Sequence, residues 1–92
     1  MLRNNEQTTK VFTTLDAYLS GYLVLKNFIP KLIEQGEKVV FSFDASDELY
    51  KTINEYNSGA LVEASSLALA TKALKSQIHS LRRNKEHEFS KA

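Results

Sequence analysis

The segment from Lys38 to Asp44, KVVFSFD, constrains the fold of this chain more than any other. Its β-branched and aromatic residues suit a pleated, partly buried surface and make it the strongest strand signal in the sequence. Gln35-Gly36 stands just before it, and Lys31–Glu34 before that reads as a second extended run. Two such runs joined across a glycine-containing turn predict a β-hairpin. Pro30, the single proline, cannot donate to a ladder, so the first strand of the hairpin is expected to lie at a sheet edge or to begin there.

The flanking sequence adds one strand and three helices. Lys10–Thr14 (KVFTT) reads as a short strand running into a helix start, with Thr14 as N-cap and Asp16 in the first turn, where the helix dipole favours a carboxylate. From Leu15 to about Asn27 the chain is apolar on nearly every side, with charge only at Asp16 and Lys26. A helix of that kind is buried or shared with a partner. Ser20 and Gly21 give it a smooth patch that another backbone can approach, although glycine costs about 1 kcal/mol against alanine in a helix interior. Pro30 disfavours helical geometry at Ile29 and so ends this helix near Asn27 or Phe28.

Beyond the hairpin, a second helix is expected to start within Asp44–Asp47, with either Asp44 or Ser46 as its cap. Leu49, Tyr50, Ile53 and Tyr56 recur at helical spacing, and Asn57-Ser58-Gly59 is a stop. A third helix follows, capped by Ser65 or Ser66 or already begun at Ala64. Leu67, Ala70, Leu74, Ile78 and Leu81 draw one narrow apolar stripe along it. The expected fold class is α+β in the order β-α-β-β-α-α, a small antiparallel or mixed three-stranded sheet covered by three helices. Residues 1–9 read as a polar lead, 10–84 as one domain and 85–92 as a polar, frayed tail.

Composition narrows the function. A chain of 92 residues is one domain with a thin core, since it buries only roughly 60–65% of its unfolded surface. The absence of cysteine removes disulfides, thiolate metal sites and cysteine nucleophiles together, and suits a reducing compartment. No apolar run approaches the roughly 18–20 residues of a membrane span, and MLRNNEQTTK lacks the apolar centre of a secretory signal. The expectation is a cytoplasmic protein with no membrane contact.

Net charge is only +1, yet residues 32–63 hold two basic and seven acidic groups, while residues 64–85 hold five basic and no acidic ones. At about 100° per residue, Lys72, Lys75, His79, Arg82 and Arg83 fall within about 100° of one another on the third helix, beside its apolar stripe. Such a ridge attracts a phosphate backbone. The competing reading is a solvated face whose cations suit the negative end of the helix dipole or pair with the acidic middle segment.

The other candidates are weaker. Asp44, Asp47 and Glu48 lack the alternating ligands and glycine of a calcium loop and are better read as capping and first-turn residues. His79 and His87 have no partner at ligand spacing, and no serine sits in a glycine-flanked elbow, so no metal, cofactor or catalytic triad is expected. The four tyrosines, Tyr18, Tyr22, Tyr50 and Tyr56, lie on the apolar sides of two helices and read first as core. Tyr18, Gly21, Tyr22 and Leu25 nevertheless mark where the first helix would meet another chain, and self-association is a reasonable default for a thin core.

The run VFTTLDAYLSGYLVLK, the pair GEKVVFSFDASDEL, the stop Tyr56-Asn57-Ser58-Gly59 and the final ALATKALKSQI together resemble an uncharacterised family of small bacterial and phage-borne domains. The resemblance covers roughly residues 11–78. It implies the same order of elements and no substrate, cofactor or catalytic residue. Two functions are thus open: a small non-catalytic interaction module that self-associates or takes a protein partner, or a nucleic-acid-binding accessory protein that uses the basic face of the third helix.

Overall fold

The structure, a computed structural model, describes residues 10–91 in backbone and residues 10–83 with their side chains. The elements are β1 (Val11–Thr14), α1 (Ala17–Leu25), β2 (Lys31–Gln35), β3 (Lys38–Asp44), α2 (Asp47–Asn57) and α3 (Ala64–Lys91). The fold is α+β in the expected order, and its sheet is antiparallel throughout with strand order β1-β3-β2. Because β1 and β2 both run antiparallel to β3, they are parallel to each other. The unit β1-α1-β2 is therefore a split β-α-β, with β3 inserted between its strands.

The central place of β3 accounts for its composition. Phe12 is paired with Phe43, and Phe41 lies between Thr14 on one side and Leu32 on the other. Side chains opposite one another in an antiparallel ladder share a face, so Phe12, Phe41, Phe43 and Leu32 line one face together. That face meets Leu19, Tyr22 and Leu23 of α1, Leu49 of α2 and Leu74 of α3 in the core cluster. Burying each large side chain there contributes about 1.5–3 kcal/mol. The opposite face carries Val11, Thr13, Ile33, Val40 and Ser42 and contributes nothing to the core cluster. All three helices thus bring their core residues to the same side of the sheet.

Helix ends are set locally, with some differences from expectation. Asp16, not Thr14, is the N-cap of α1: its Oδ1 accepts from the Tyr18 and Leu19 amides at 3.0 and 3.1 Å. Thr14 Oγ1 instead accepts from the Asp16 amide at 3.0 Å, holding the cap residue in place. The helix stops before Pro30 acts. Asn27 takes φ 75°, the Asn27 amide donates to Val24 and the Phe28 amide to Leu23. This is a Schellman closure, with asparagine in the left-handed position usually held by glycine. The same pair of bonds closes α2, from the Gly59 amide to Tyr56 and the Ala60 amide to Glu55. Of the two candidate caps for α2, Ser46 fills the position, accepting from the Leu49 amide at 3.0 Å. α3 begins at Ala64, and its backbone is helical to Lys91.

α3 packs along α1, and at Gly21 the two helices lie close together. A Cβ built on Gly21 would lie 2.6 Å from Thr71 Oγ1 and 3.2 Å from the Thr71 amide nitrogen. No side chain fits between the helices at this point. The hydroxyls of Ser20 and Thr71 are buried at the same crossing with no hydrogen-bond partner among the described residues.

This geometry predicts that Gly21→Ala destabilises the protein by about 1–2 kcal/mol, because overpacking outweighs the gain in helix propensity. Thr71→Ala removes the nearest obstructing atom, so the double variant should lose less than the sum of the single losses. Urea unfolding of the four proteins measures the coupling; additive losses would show that the contact does not limit the crossing.

Candidate nucleic-acid interface

The basic candidates from the sequence are all displayed. Lys72, Lys75, His79, Arg82 and Arg83 are exposed, whereas Thr71 and Leu74 on the adjoining flank of α3 are buried against the rest of the domain. The burial of that flank orients α3, and its orientation carries the cations outward. From Ala64 to Lys85 no acidic residue interrupts them.

The first-helix candidates divide. Gly21 and Tyr22 are buried, and Gly21 is closed off by Thr71 of the same chain. These two residues, expected at an interface with another chain, are therefore part of this chain's own core. The apolar face of α1 that suggested a partner is occupied by α3. Leu25 is half-buried, and Tyr18 stays open with 55% of its surface exposed.

Tyr18 joins the basic flank. Lys75 Nζ lies 5.1 Å from its ring centroid, within the range of a cation–π contact. An exposed ring is thereby placed beside the cations of α3. Read one helix at a time, the sequence gives no sign of this pairing, because Tyr18 and Lys75 lie on different helices. Thr71 is likewise absent from the apolar stripe as read from the sequence, although it lies one turn from both Leu67 and Leu74 and its burial follows from that spacing.

Behind Tyr18 the aromatics continue inward. Tyr22 and Tyr56 are 5.2 Å apart between ring centroids, and Lys26 Nζ is 5.5 Å from the Tyr22 ring. Burial pushes the Tyr56 phenol above its ordinary pKa of 10.0, with the Asp16 carboxylate and Tyr18 adding in the same direction. Tyr50, at the other side of α2, meets Phe12 edge-on at 6.2 Å.

The remaining candidates are placed as caps or left dispersed. Asp47 and Glu48 occupy the first turn of α2 behind the Ser46 cap, and Asp44 ends β3. Among the described residues no group of three His, Cys, Asp or Glu side chains stands close enough to hold a metal ion. The side chain of His87 lies outside the described residues. Two clefts, of about 420 and 490 Å³, open on the flank of α3 away from the cations, and no titratable side chain lines either. No helix among the described residues is long and apolar enough to cross a membrane.

No family model, curated protein or solved structure matches this chain. The resemblance drawn from its motifs rests on those residues alone.

The Tyr56 environment has an alkaline consequence. The folded state favours the neutral phenol, so the stabilisation is complete below pH 10.0 and is lost as pH rises through the elevated folded value. Tyr56→Phe should remove the slowest-rising part of the tyrosinate absorbance and flatten the alkaline fall in melting temperature. An unchanged titration curve would show that Tyr56 is not held neutral by this site.

Proposed function

We propose that this protein is a non-catalytic binding module that contacts nucleic acid through the exposed basic flank of α3. The observation that carries this reading is the side-by-side display of Lys72, Lys75, His79, Arg82 and Arg83, with the open ring of Tyr18 against Lys75. Cations along a helix flank attract phosphates whatever the sequence, and the released counterions make such binding strongly salt-dependent. An exposed aromatic ring beside them offers a stacking surface for an unpaired base, so single strands are the favoured form. The same surface offers no pairing of nucleophile with base, and its chemistry is that of contact. A cytoplasmic location fits both the absence of cysteine and a nucleic-acid partner.

The competing assignment, a module that self-associates through the apolar face of α1, has less support, because α3 already covers the middle of that helix.

Gel shift and fluorescence anisotropy with a labelled single-stranded oligonucleotide test the reading. Binding should weaken with salt, with a log–log slope of about −2 to −4 if three to five cations meet phosphates. Lys75→Glu combined with Arg82→Glu should reduce affinity at least about tenfold and flatten the slope. Tyr18→Ala should cost about 1–3 kcal/mol on single strands and little on duplex. Absence of binding at low salt, or binding unaffected by the charge reversals, would reject the proposal.

A further inference from the structure

We infer that β2 is a self-complementary edge on which a second copy of this chain docks, joining two three-stranded sheets into one of six strands. The inference is independent of nucleic-acid binding and rests on the register of the hairpin.

β2 lies at an edge of the sheet, next to β3. The β2–β3 hairpin closes on Gln35 opposite Lys38 across the two-residue loop Gly36–Glu37, with Gly36 at φ 62° as the first position of such a loop requires. In a two-residue hairpin the closing pair is hydrogen-bonded, and bonded and non-bonded pairs then alternate along the ladder. Gln35, Ile33 and Lys31 therefore turn their backbone groups toward β3. Leu32 and Glu34 turn theirs toward the far side.

An antiparallel copy of β2 centred on Ile33 meets this pattern with itself. Leu32 falls opposite Glu34 of the second copy, and Glu34 opposite its Leu32, so the outward-turned residues form two hydrogen-bonded pairs related by the two-fold axis. Lys31 falls opposite Gln35, and no two like charges face each other. Moving the centre to Leu32 would set Glu34 opposite Pro30, which has no amide to donate. Moving it to Glu34 would set two carboxylates face to face. One register is left, and it satisfies both main chain and charge. Glu34 already has an interaction within the chain, and the ladder asks nothing of its side chain.

The side chains agree with this register. Ile33 is 40% exposed on the sheet face that carries no helix, next to Val40 at 8%. In the paired sheet Ile33 meets its own copy at a non-hydrogen-bonded position, where side chains stand closest. The row Val40–Ile33 then continues into its symmetry mate as one apolar stripe across four strands. On the helix side of β2, the cleft beside Leu32 is lined by the uncharged residues Ser76, Gln77, Ser80 and Leu81.

The chain contains no cysteine, so Ile33→Cys introduces one thiol at the two-fold axis. Under mild oxidation it should form a disulfide-linked dimer, while Val11→Cys, on the same face at the opposite edge, should not. Light scattering of the unmodified protein at high micromolar concentration should give twice the chain mass. Ile33→Glu and Ile33→Lys should each weaken the dimer at least about tenfold by placing like charges opposite each other, and mixing the two should restore it as a heterodimer. Circular dichroism confirms that each variant is folded, and the cysteine pair decides the matter if a charged variant is not. A monomeric mass throughout, a dimer indifferent to both charged variants, or equal cross-linking at positions 33 and 11 would overturn the inference. Because mass and cross-linking are read without nucleic acid, a negative result here leaves the α3 proposal standing, and the reverse also holds.

Discussion

The arrangement depends on one close approach, the crossing of α1 and α3 at Gly21. Helices normally keep 8–10 Å between their axes because side chains intervene. At Gly21 there is no side chain, and the Thr71 hydroxyl lies 2.6 Å from where a Cβ would stand, with the Thr71 amide nitrogen behind it at 3.2 Å. Two consequences follow. The apolar middle of α1 is used up inside the chain, and the rotation of α3 about its own axis is fixed. The domain places two hydroxyls, those of Ser20 and Thr71, at this crossing with no partner among the described residues. Small hydroxyl residues permit the approach, and their burial partly offsets what the tight packing contributes.

Once α3 is fixed in rotation, its remaining surface divides. The flank containing Thr71 and Leu74 is buried, the next carries the cations, and the third, with Ala73, Ser76, Gln77 and Ser80, is uncharged. Charge that nearly cancels over the whole chain is thereby separated in space. The basic flank gains an aromatic neighbour from α1 only because the crossing brings Tyr18 alongside Lys75. The uncharged flank lies beside Leu32 of β2. A near-neutral total is thus compatible with a basic flank on one side of the helix and an uncharged flank on another.

The sheet shows the same asymmetry. β3 is covered by neighbours on both sides, which is why every residue from Val39 to Phe43 is buried. β1 and β2 are edges: in β1 Phe12 and Thr14 are partly buried, and in β2 Leu32 alone. A three-stranded sheet with helices on one face leaves Val40 and Ile33 on the other, among polar neighbours such as Lys31, Gln35 and Ser42.

Much of this was legible in the sequence. The order of elements, the hairpin, the β3 strand, the stop after Tyr56 and the basic flank of α3 follow from spacing, turn residues and local charge, because each is decided by residues within a few positions of one another. The choice of Asp16 over Thr14 as cap, and the stop at Asn27 before Pro30 could act, depend on backbone angles that residue type alone does not specify. What only the tertiary structure decided is where the apolar surface of α1 goes. Its sequence is equally suited to a partner chain or to this chain's own third helix, and the outcome rests on Gly21 meeting Thr71, residues far apart in the sequence. The placement of Tyr18 against Lys75 was decided in the same way, since hydrophobic burial has no direction of its own and takes one only when a second surface of matching shape closes over it.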